Sequence, residues 1–509
     1  MRQKAALISP ADSACLPNGT CYKQGMTTHN LLPALPDGLI VIVKRACPTC
    51  SLIEPVLAQL SDSGIPITVV AQDVADFSAG HARQIDDTDL AWSWSLECEI
   101  VPTLIRRDHG AEIERTYGWF REDWERISGC TALGADLPAS RPGCGSKTQD
   151  PGVSDRLAIR FGAVSFASRE VEIGDSEDPI EACFDRGWSD GLPVVPPTPE
   201  RVYRMLQGTA RKPEEVLGLM PPDLVPCTVE KVAINAVMAG CKPEYMPVVL
   251  AAVEAALIDE FGMHGLLCTT MFAGPLVLVN GPAATQIGMN SGVNALGQGN
   301  RANASIGRAL QLVVRNVGGG RPGEIDRATL GTPGKYTFCF AEAEDGEWDS
   351  LAVERGFGKD QSVVTLFAAE GVQGILDQKS RTPESLARSF ALSLRAVDHY
   401  KLAMHGDAML VVSPEHARVF LDAGWSKARL REELDKLLVM PGKDLVVGAD
   451  GIAEGMPANF ASADIPKFRP GGLLIVRAGG PAGLFSAVIA GWAASGPTGS
   501  TPVSKEVTA

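Results

Sequence analysis

The sequence has no long apolar run, since none of its stretches approaches the roughly 18 consecutive apolar residues of a membrane-crossing helix. Residues 1–29 also lack the apolar centre of a secretory signal. Basic residues are in deficit, and the formal net charge of −15 argues against nucleic acid or an anionic membrane as a partner. We therefore expect a soluble, cytoplasmic protein.

Histidine is scarce as well, and the seven histidines show no recognised metal-ligand spacing. The chain has a single Cys-Xaa-Xaa-Cys, whereas a four-cysteine zinc site needs a second one. We therefore expect neither a metal nor another cofactor. The twelve cysteines are spread without dense regular spacing, so most should be free thiols in a reducing compartment.

The exception is Cys47-Pro48-Thr49-Cys50, which follows the apolar run 38–43 and precedes the helix-like segment 51–60. Two cysteines at this spacing can close a small disulfide, and the amides and dipole of a helix N-terminus stabilise the thiolate of the first. This pattern predicts a redox dithiol in which Cys47 attacks and Cys50 resolves. Half of a zinc site and an inert structural pair are the alternatives.

The segments after the dithiol alternate as strand, helix and strand, and include Val101-Pro102-Thr103, a strand-like stretch at 112–117 and a helix-like stretch at 121–127. Residues 35–130 thus resemble the thioredoxin and glutaredoxin superfamily. In that family the proline of the Val-Pro pair is cis and lies beside the dithiol, where it helps to hold an extended partner chain. The resemblance implies the same role for Pro102.

The length of 509 residues suggests roughly three to four average domains, or one small and one large domain. We predict an α/β protein with a flexible tail at 1–34, a thioredoxin-like domain at 35–130, a linker at 131–155 and a large α/β domain at 156–509. The large domain could comprise two subdomains, and its strand order is not readable. The linker is rich in Pro, Gly, Ser and Ala.

Cys144 lies in this linker, in Pro-Gly-Cys-Gly-Ser, where small neighbours would let another thiolate approach. One interpretation is a thiol that shuttles electrons to the second domain. The other is an exposed linker thiol with no role, because linkers tolerate change.

Two further segments contain candidate catalytic or binding residues. Asp190 stands in an Asp-Gly turn followed by a proline-fixed path, which is either a rigid support for substrate binding or a simple entry turn. His264 and Cys268 are four residues apart, so they share a side on a helix or a strand and could form a catalytic imidazole-thiol pair. A packed cysteine beside a satisfied histidine is the alternative.

The densest polar cluster runs from 289 to 303, just before a helix predicted at 304–317. Its glycines let backbone amides turn toward a ligand, and its asparagines offer donors and acceptors. The cation Arg301 stands where the helix begins, and a cation at the first turn opposes the helix dipole unless an anion lies nearby. This segment therefore predicts a site for a carboxylate or phosphate-like anion. A solvated basic face is the alternative. The predicted substrate-binding residues here are Asn290, Asn294, Asn300, Arg301 and Asn303.

Three segments also resemble a poorly characterised bacterial family linked with proteins that bear a Sec/Cys-Gly-Ser-Cys motif. They are Asp-Gly-Leu-Pro-Val-Val-Pro-Pro-Thr from residue 190, Asn-Ala-Leu-Gly-Gln-Gly-Asn-Arg-Ala-Asn from residue 294 and Pro-Gly-Lys-Tyr-Thr-Phe-Cys from residue 333. The resemblance spans about residues 175–505 and implies a thiol or selenol redox setting without assigning a substrate. This chain departs from the motif, because Cys144-Gly145-Ser146 continues with Lys147.

Together these features favour a thiol-disulfide oxidoreductase in which the dithiol exchanges electrons with a reaction site in the large domain. One alternative is a cysteine-dependent hydrolase or lyase, with Cys268 and His264 kept reduced by the small domain. The other is a redox-controlled protein that binds a small anion. The expected partners are a small-molecule substrate, with anions as candidates, an external thiol as a candidate reductant and a second copy of the chain as a candidate for oligomerisation.

Overall fold

The structure, a computed structural model, describes residues 6–13, 35–77, 82–399, 403–450, 452–492 and 499–508. The chain divides into a small unit, residues 23–165, and a large unit, residues 1–22 and 166–509. Each unit combines helices with β-sheet, so the predicted α/β class is confirmed. Within the described ranges, no helix is both long and apolar enough to cross a membrane.

The segment predicted as a flexible tail contributes one strand to the large unit. This strand, β1 (Ala6–Ser13), pairs antiparallel with a later strand at Ser168–Glu172. Residues 14–34, with Cys15 and Cys21, lie outside the described residues.

The small unit is built on a mixed five-stranded sheet. The strands of the unit are β2 (Gly38–Val43), β3 (Ile67–Ala71), β4 (Arg83–Asp86), β5 (Ile100–Val101), β6 (Thr103–Asp108), β7 (Ala111–Tyr117), β8 (Trp119–Phe120), β9 (Ser140–Arg141) and β10 (Cys144–Gly145), of which β5 pairs with β10 and β8 with β9 outside the five-stranded sheet. Its helices are α1 (Pro48–Leu52), α2 (Glu54–Asp62), α3 (Ala91–Ser95), α4 (Arg121–Ser128) and α5 (Val153–Arg160).

The sheet order is β4-β3-β2-β6-β7, with β2, β3 and β4 parallel to each other and β6 and β7 antiparallel to their neighbours. The apolar runs of β2 and β3 are almost wholly buried, as strands covered on both faces require. Trp119 and Trp124 belong to the same core and meet edge to face, with ring centroids 5.5 Å apart.

Residues 131–155, predicted as a linker, are instead folded as part of the small unit. They contain β9, β10, a short 3₁₀ turn at Lys147–Gln149 and the start of α5. The prediction was wrong because the segment takes its order from distant partners: β9 pairs with β8, and β10 pairs with β5. A Pro- and Gly-rich composition shows only the absence of local periodicity.

The large unit contains a seven-stranded mixed sheet and several two-stranded ones. After β1, its strands are β11 (Ser168–Glu172), β12 (Val216–Met220), β13 (Val225–Thr228), β14 (Gly274–Asn280), β15 (Cys339–Ala341), β16 (Val363–Leu376), β17 (Gly406–Val412), β18 (Val439–Pro441), β19 (Gly448–Ala449), β20 (Ile452–Ala453), β21 (Asp464–Pro466), β22 (Phe468–Arg477), β23 (Phe485–Gly491) and β24 (Val503–Glu506). The main sheet runs β15-β14-β16-β23-β17-β22, and β24 also pairs with β16.

The helices of the large unit are mostly short. They are α6 (Pro179–Asp185), α7 (Pro199–Leu206), α8 (Val229–Ala239), α9 (Met246–Ala256), α10 (Met263–Cys268), α11 (Pro282–Gln286), α12 (Arg301–Asn316), α13 (Leu351–Glu354), α14 (Pro383–Ala396), α15 (Pro414–Leu421), α16 (Lys427–Leu437) and α17 (Gly442–Leu445).

The main sheet of the large unit is buried on both faces. Successive residues of a strand point to opposite faces. Accordingly, Leu410 of β17 packs in one apolar cluster with residues of α14, α15 and α16, whereas Met409 packs in another with Phe340 and Phe367. Elsewhere in the unit, α8, α9 and α12 pack against one another.

Candidate functional site

Cys47 lies at the N-terminus of α1, directly after the turn that leaves β2. The Asp73 carboxylate fixes this turn, because it accepts hydrogen bonds from the backbone amides of Arg45 at 2.6 Å and Ala46 at 2.9 Å. Cys47 is the N-cap residue, and its Sγ accepts a hydrogen bond from the Cys50 amide at 3.4 Å. The predicted helix-terminal amide therefore contacts the predicted attacking sulfur.

The two cysteines have opposite acidities, although both side chains are fully buried. Burial alone would raise the pKa of Cys47, but hydrogen bonds from the Cys144 thiol and the Cys50 amide outweigh it, and the pKa is lowered. Burial raises the pKa of Cys50 strongly, and the nearby Cys47 adds to this effect. Cys47 is therefore the better thiolate, and Cys50 retains its proton.

Pro102 follows β5 and lies close to the dithiol. The Val101–Pro102 peptide bond is cis, and the Val101 carbonyl oxygen is 3.6 Å from Cys47 Sγ. The Pro102 carbonyl accepts a hydrogen bond from the Gly118 amide at 2.7 Å. The structure thus brings together the three residues predicted for the redox site.

A fourth residue, Cys144, completes this group. Strand β10 pairs antiparallel with β5, and Cys144 stands opposite Val101. Its Sγ is 2.8 Å from Cys47 Sγ, close enough for the two sulfurs to share a proton. Sequence reasoning singled out Cys144 but placed it on a linker. The position of Cys144 depends on the pairing of β10 with β5, and no local pattern in the sequence indicates this pairing.

The backbone on either side of Cys144 is held by side chains around the dithiol. Thr49 Oγ1 donates to the Pro142 carbonyl at 2.7 Å, and Lys44 Nζ donates to the Gly145 carbonyl at 2.5 Å. Gly143 is packed so closely that a Cβ there would lie 2.4 Å from the Ile100 side chain. The segment therefore has a defined path over the dithiol.

In the large unit, Asp190 is engaged by an arginine of α12. Arg308 donates from Nε at 2.8 Å and from Nη2 at 2.7 Å to the two carboxylate oxygens, and both side chains are mostly buried. Arg308 also donates to the carbonyls of Leu192 and Pro193. Asp190 thus fastens its turn to α12, which is a structural use of the predicted substrate-binding carboxylate.

The predicted asparagine cluster is bonded largely to its own backbone. Helix α12 begins at Arg301, three residues earlier than expected, with Asn300 as its N-cap. Asn303 bonds the backbone of Asn290 through both its amide oxygen and its amide nitrogen, and Asn294 donates to the Gln298 carbonyl at 2.7 Å. These amides shape the loop.

Arg301 is exposed, and its Nε donates to the Gly240 carbonyl at 2.9 Å. The remainder of its guanidinium has no ion pair recorded among the described residues, so an anion site here stays a prediction.

His264 and Cys268 lie on the short helix α10, and both are exposed. Within the described ranges no hydrogen bond joins them. Cys268 is the last residue of this helix. Among described residues, no group of three His, Cys, Asp or Glu side chains is placed to hold a metal ion.

Sequence reasoning missed a buried serine-histidine pair beside a cavity of the large unit. His416 of α15 lies with Nδ1 2.7 Å from Ser486 Oγ and Nε2 3.1 Å from the Asp377 carbonyl oxygen. The cavity, about 420 Å³, is lined by Ser486, Ser413, Gly479 and Gly480, with Asn294 to Gly297 from the asparagine loop. The pair is 70 residues apart in sequence, so spacing offers no signal.

Comparison with known proteins finds no matching family model, no matching curated protein and no matching solved structure.

The Asp190–Arg308 pair gives a stability prediction. Arg308→Ala leaves a largely buried carboxylate without its cation, so we expect the free energy of unfolding of the large unit to fall by about 3–5 kcal/mol. Hydrogen exchange of peptides covering 187–198 and 301–316 measures the loss. The control is Arg429→Ala, whose pair with Glu432 is exposed and should matter by less than about 0.5 kcal/mol. Equal effects of the two changes would contradict a structural role.

The acidity of Cys47 gives a pH prediction. In the fully reduced chain, the thiolate absorbance lost on Cys47→Ser should titrate below pH 9.0, the ordinary thiol value, because two hydrogen bonds favour its charged form. The absorbance lost on Cys98→Ser should titrate above 9.0, because burial raises the pKa of Cys98. A Cys47 transition at or above that of Cys98 would refute the assignment.

Proposed function

We propose that the chain is a thiol-disulfide oxidoreductase in which Cys47 attacks a disulfide and Cys50 resolves the mixed disulfide. The observation that carries the proposal is the asymmetry of the pair. Cys47 accepts a helix-terminal amide and has a lowered pKa, while the buried Cys50 has a raised one. An attacking thiolate beside a protonated resolving thiol is the arrangement that exchange through a mixed disulfide requires.

The surroundings of the pair support the same reading. The dithiol follows β2, the middle strand of the sheet, and the cis Val101–Pro102 bond lies beside it. These are the features that a resemblance to thioredoxins implies for residues 35–130. The fused large unit is the natural electron-exchange partner, since tethering supplies an effective concentration of about millimolar.

The test is reduction of insulin disulfides by the full chain, with dithiothreitol as the electron donor. Cys47→Ser should lower the rate at least about a hundredfold, because it removes the thiol with the lowered pKa, through which the exchange passes to Cys50. Cys50→Ser should also slow turnover, because it removes the buried thiol that resolves the mixed disulfide on Cys47. Cys130→Ser, in a half-buried thiol of the same unit, is the control and should keep the wild-type rate. A Cys47→Ser protein with undiminished activity would end the proposal.

A second candidate function, hydrolytic acyl transfer, is favoured by the serine-histidine pair in the large unit. A carbonyl oxygen only accepts hydrogen bonds, so His416 Nε2 carries the ring proton when it bonds Asp377 O. Nδ1 is then the acceptor, and Ser486 Oγ donates to it. Burial lowers the pKa of His416 and keeps it neutral, as a general base for a serine nucleophile must be.

The cavity supplies room for a substrate beside Ser486. Ser413 donates its amide to Ser486 Oγ at 3.2 Å, and in the described part of the chain its own buried hydroxyl has no partner. Such a hydroxyl offers a polar contact to a bound acyl group. This pair suits the hydrolase alternative better than Cys268 and His264, which are exposed and unbonded to each other.

A fluorophosphonate probe tests this second function, because it labels serines activated by a base. We expect labelling at Ser486, loss of labelling in His416→Gln, and a labelling rate that rises with pH through a midpoint below 6.5, where His416 loses its proton. Ser393→Ala, a change on α14, should leave labelling intact. Absence of label on Ser486 would remove this candidate.

A further inference from the structure

We propose that Cys144 is the third redox thiol of the site and forms a reversible disulfide with Cys47. This inference rests on the proposed function of the Cys47–Cys50 dithiol. It assigns a role to a residue that the dithiol mechanism alone does not use, and it makes residues 140–146 a built-in partner segment of the dithiol.

The position of Cys144 carries the inference. Its sulfur is 2.8 Å from that of Cys47, although the two residues are 97 positions apart in sequence. An S–S bond is about 2.05 Å long, so the bond can close with a sub-ångström movement. Three other buried thiols of the chain, Cys98, Cys183 and Cys227, have no recorded sulfur partner among the described residues.

The segment is held on both sides of Cys144, by strand pairing and by hydrogen bonds from side chains. Residues 144 and 145 pair with β5, the Thr49 hydroxyl bonds the carbonyl before Gly143, and the Glu99 carbonyl accepts the Ser146 amide at 2.7 Å. Gln72 Nε2 donates to Ser146 Oγ at 2.7 Å in the buried interior. Because the backbone is held at each end, ordering Cys144 over Cys47 costs little further conformational entropy.

The three thiols differ in solvent exposure, and this difference determines which of them an external disulfide can reach. Cys47 and Cys50 are fully buried, whereas Cys144 is half-buried. An external disulfide therefore meets Cys144 before it meets Cys47 in this conformation. Cys144 is the outer end of a relay whose inner end is Cys50.

The relay is balanced without an added oxidant. When the site holds a Cys47–Cys50 disulfide, the Cys144 thiolate attacks Cys47 Sγ, the Cys47–Cys50 bond breaks, and Cys50 leaves as a thiolate that takes up a proton. Attack by Cys50 on Cys47 reverses the step. Two oxidising equivalents stay in the chain throughout. Reduction by an external dithiol returns all three groups to thiols and leaves that dithiol as a disulfide.

The charges around Cys144 suit this sequence. Burial raises its pKa, and the hydrogen bond to Cys47 and the charge of Cys47 raise it further, while Lys44 acts in the opposite direction. In the reduced site Cys144 therefore donates a proton to the Cys47 thiolate. Once Cys47 is in a disulfide, its charge and its hydrogen bond are gone, and Lys44 remains to favour the attacking thiolate.

The experiment uses the full chain with Cys50→Ser, which removes the resolving thiol. The reduced protein is treated with about 0.1 mM glutathione disulfide and mapped by mass spectrometry of unreduced peptides. Because a tethered thiol acts at an effective concentration of about millimolar or above, a linked Cys47–Cys144 peptide pair should exceed the Cys47–glutathione adduct about tenfold.

Two controls separate the outcomes. Cys50→Ser with Cys144→Ala should instead accumulate glutathione on Cys47, which shows that the variant is folded and reactive. Cys50→Ser with Cys130→Ser should keep the Cys47–Cys144 link. A stable glutathione adduct on Cys47 beside a free Cys144 would overturn the relay and leave the dithiol function standing. If Cys47 is oxidised in none of these proteins, the dithiol function fails with it.

Discussion

The pairing of Cys144–Gly145 with Ile100–Val101 is the constraint on which the redox site depends. It brings a thiol into contact with Cys47, contributes a hydrogen bond that lowers the pKa of Cys47, and covers the dithiol with the chain's own backbone. Without this pairing, Cys47 would keep its helix-terminal amide but lose its sulfur neighbour. The helix terminus therefore begins the activation of Cys47, and the returning segment extends it.

The covering segment also decides how the dithiol can be reached. A fully buried nucleophile exchanges with external disulfides only after a conformational opening or through an intermediary. The hydrogen bonds of Thr49, Lys44 and Gln72 to residues 142–146 oppose opening. An internal relay through Cys144 requires no conformational opening, so these hydrogen bonds need not be broken. This is the physical reason to prefer the relay over a mobile lid.

Sequence alone could predict the dithiol and several local elements of the fold, because these depend on neighbours along the chain. The apolar run 38–43 before Cys47, the strand-like stretch at 112–117 and the helix-like stretch at 121–127 were all readable in this way. The role of 140–146 was not readable, since its order depends on strands some 20 to 45 residues away. The strand order of the large unit could not be predicted for the same reason.

The candidate sites of the large unit show the same limit in side-chain terms. The type of a residue indicates which reactions or contacts its side chain could support. The hydrogen bonds and ion pairs that the side chain makes in the folded protein determine whether it is still available to a substrate. Asp190 was a reasonable ligand from its turn, yet Arg308 occupies both of its oxygens. Ser486 and His416 carried no motif, yet a backbone carbonyl fixes the histidine tautomer and leaves the serine hydroxyl as the donor beside a cavity. Polar residues that are oriented by a hydrogen-bond partner and also face a cavity are thus better candidates for a functional site than polar residues that are merely close together in sequence.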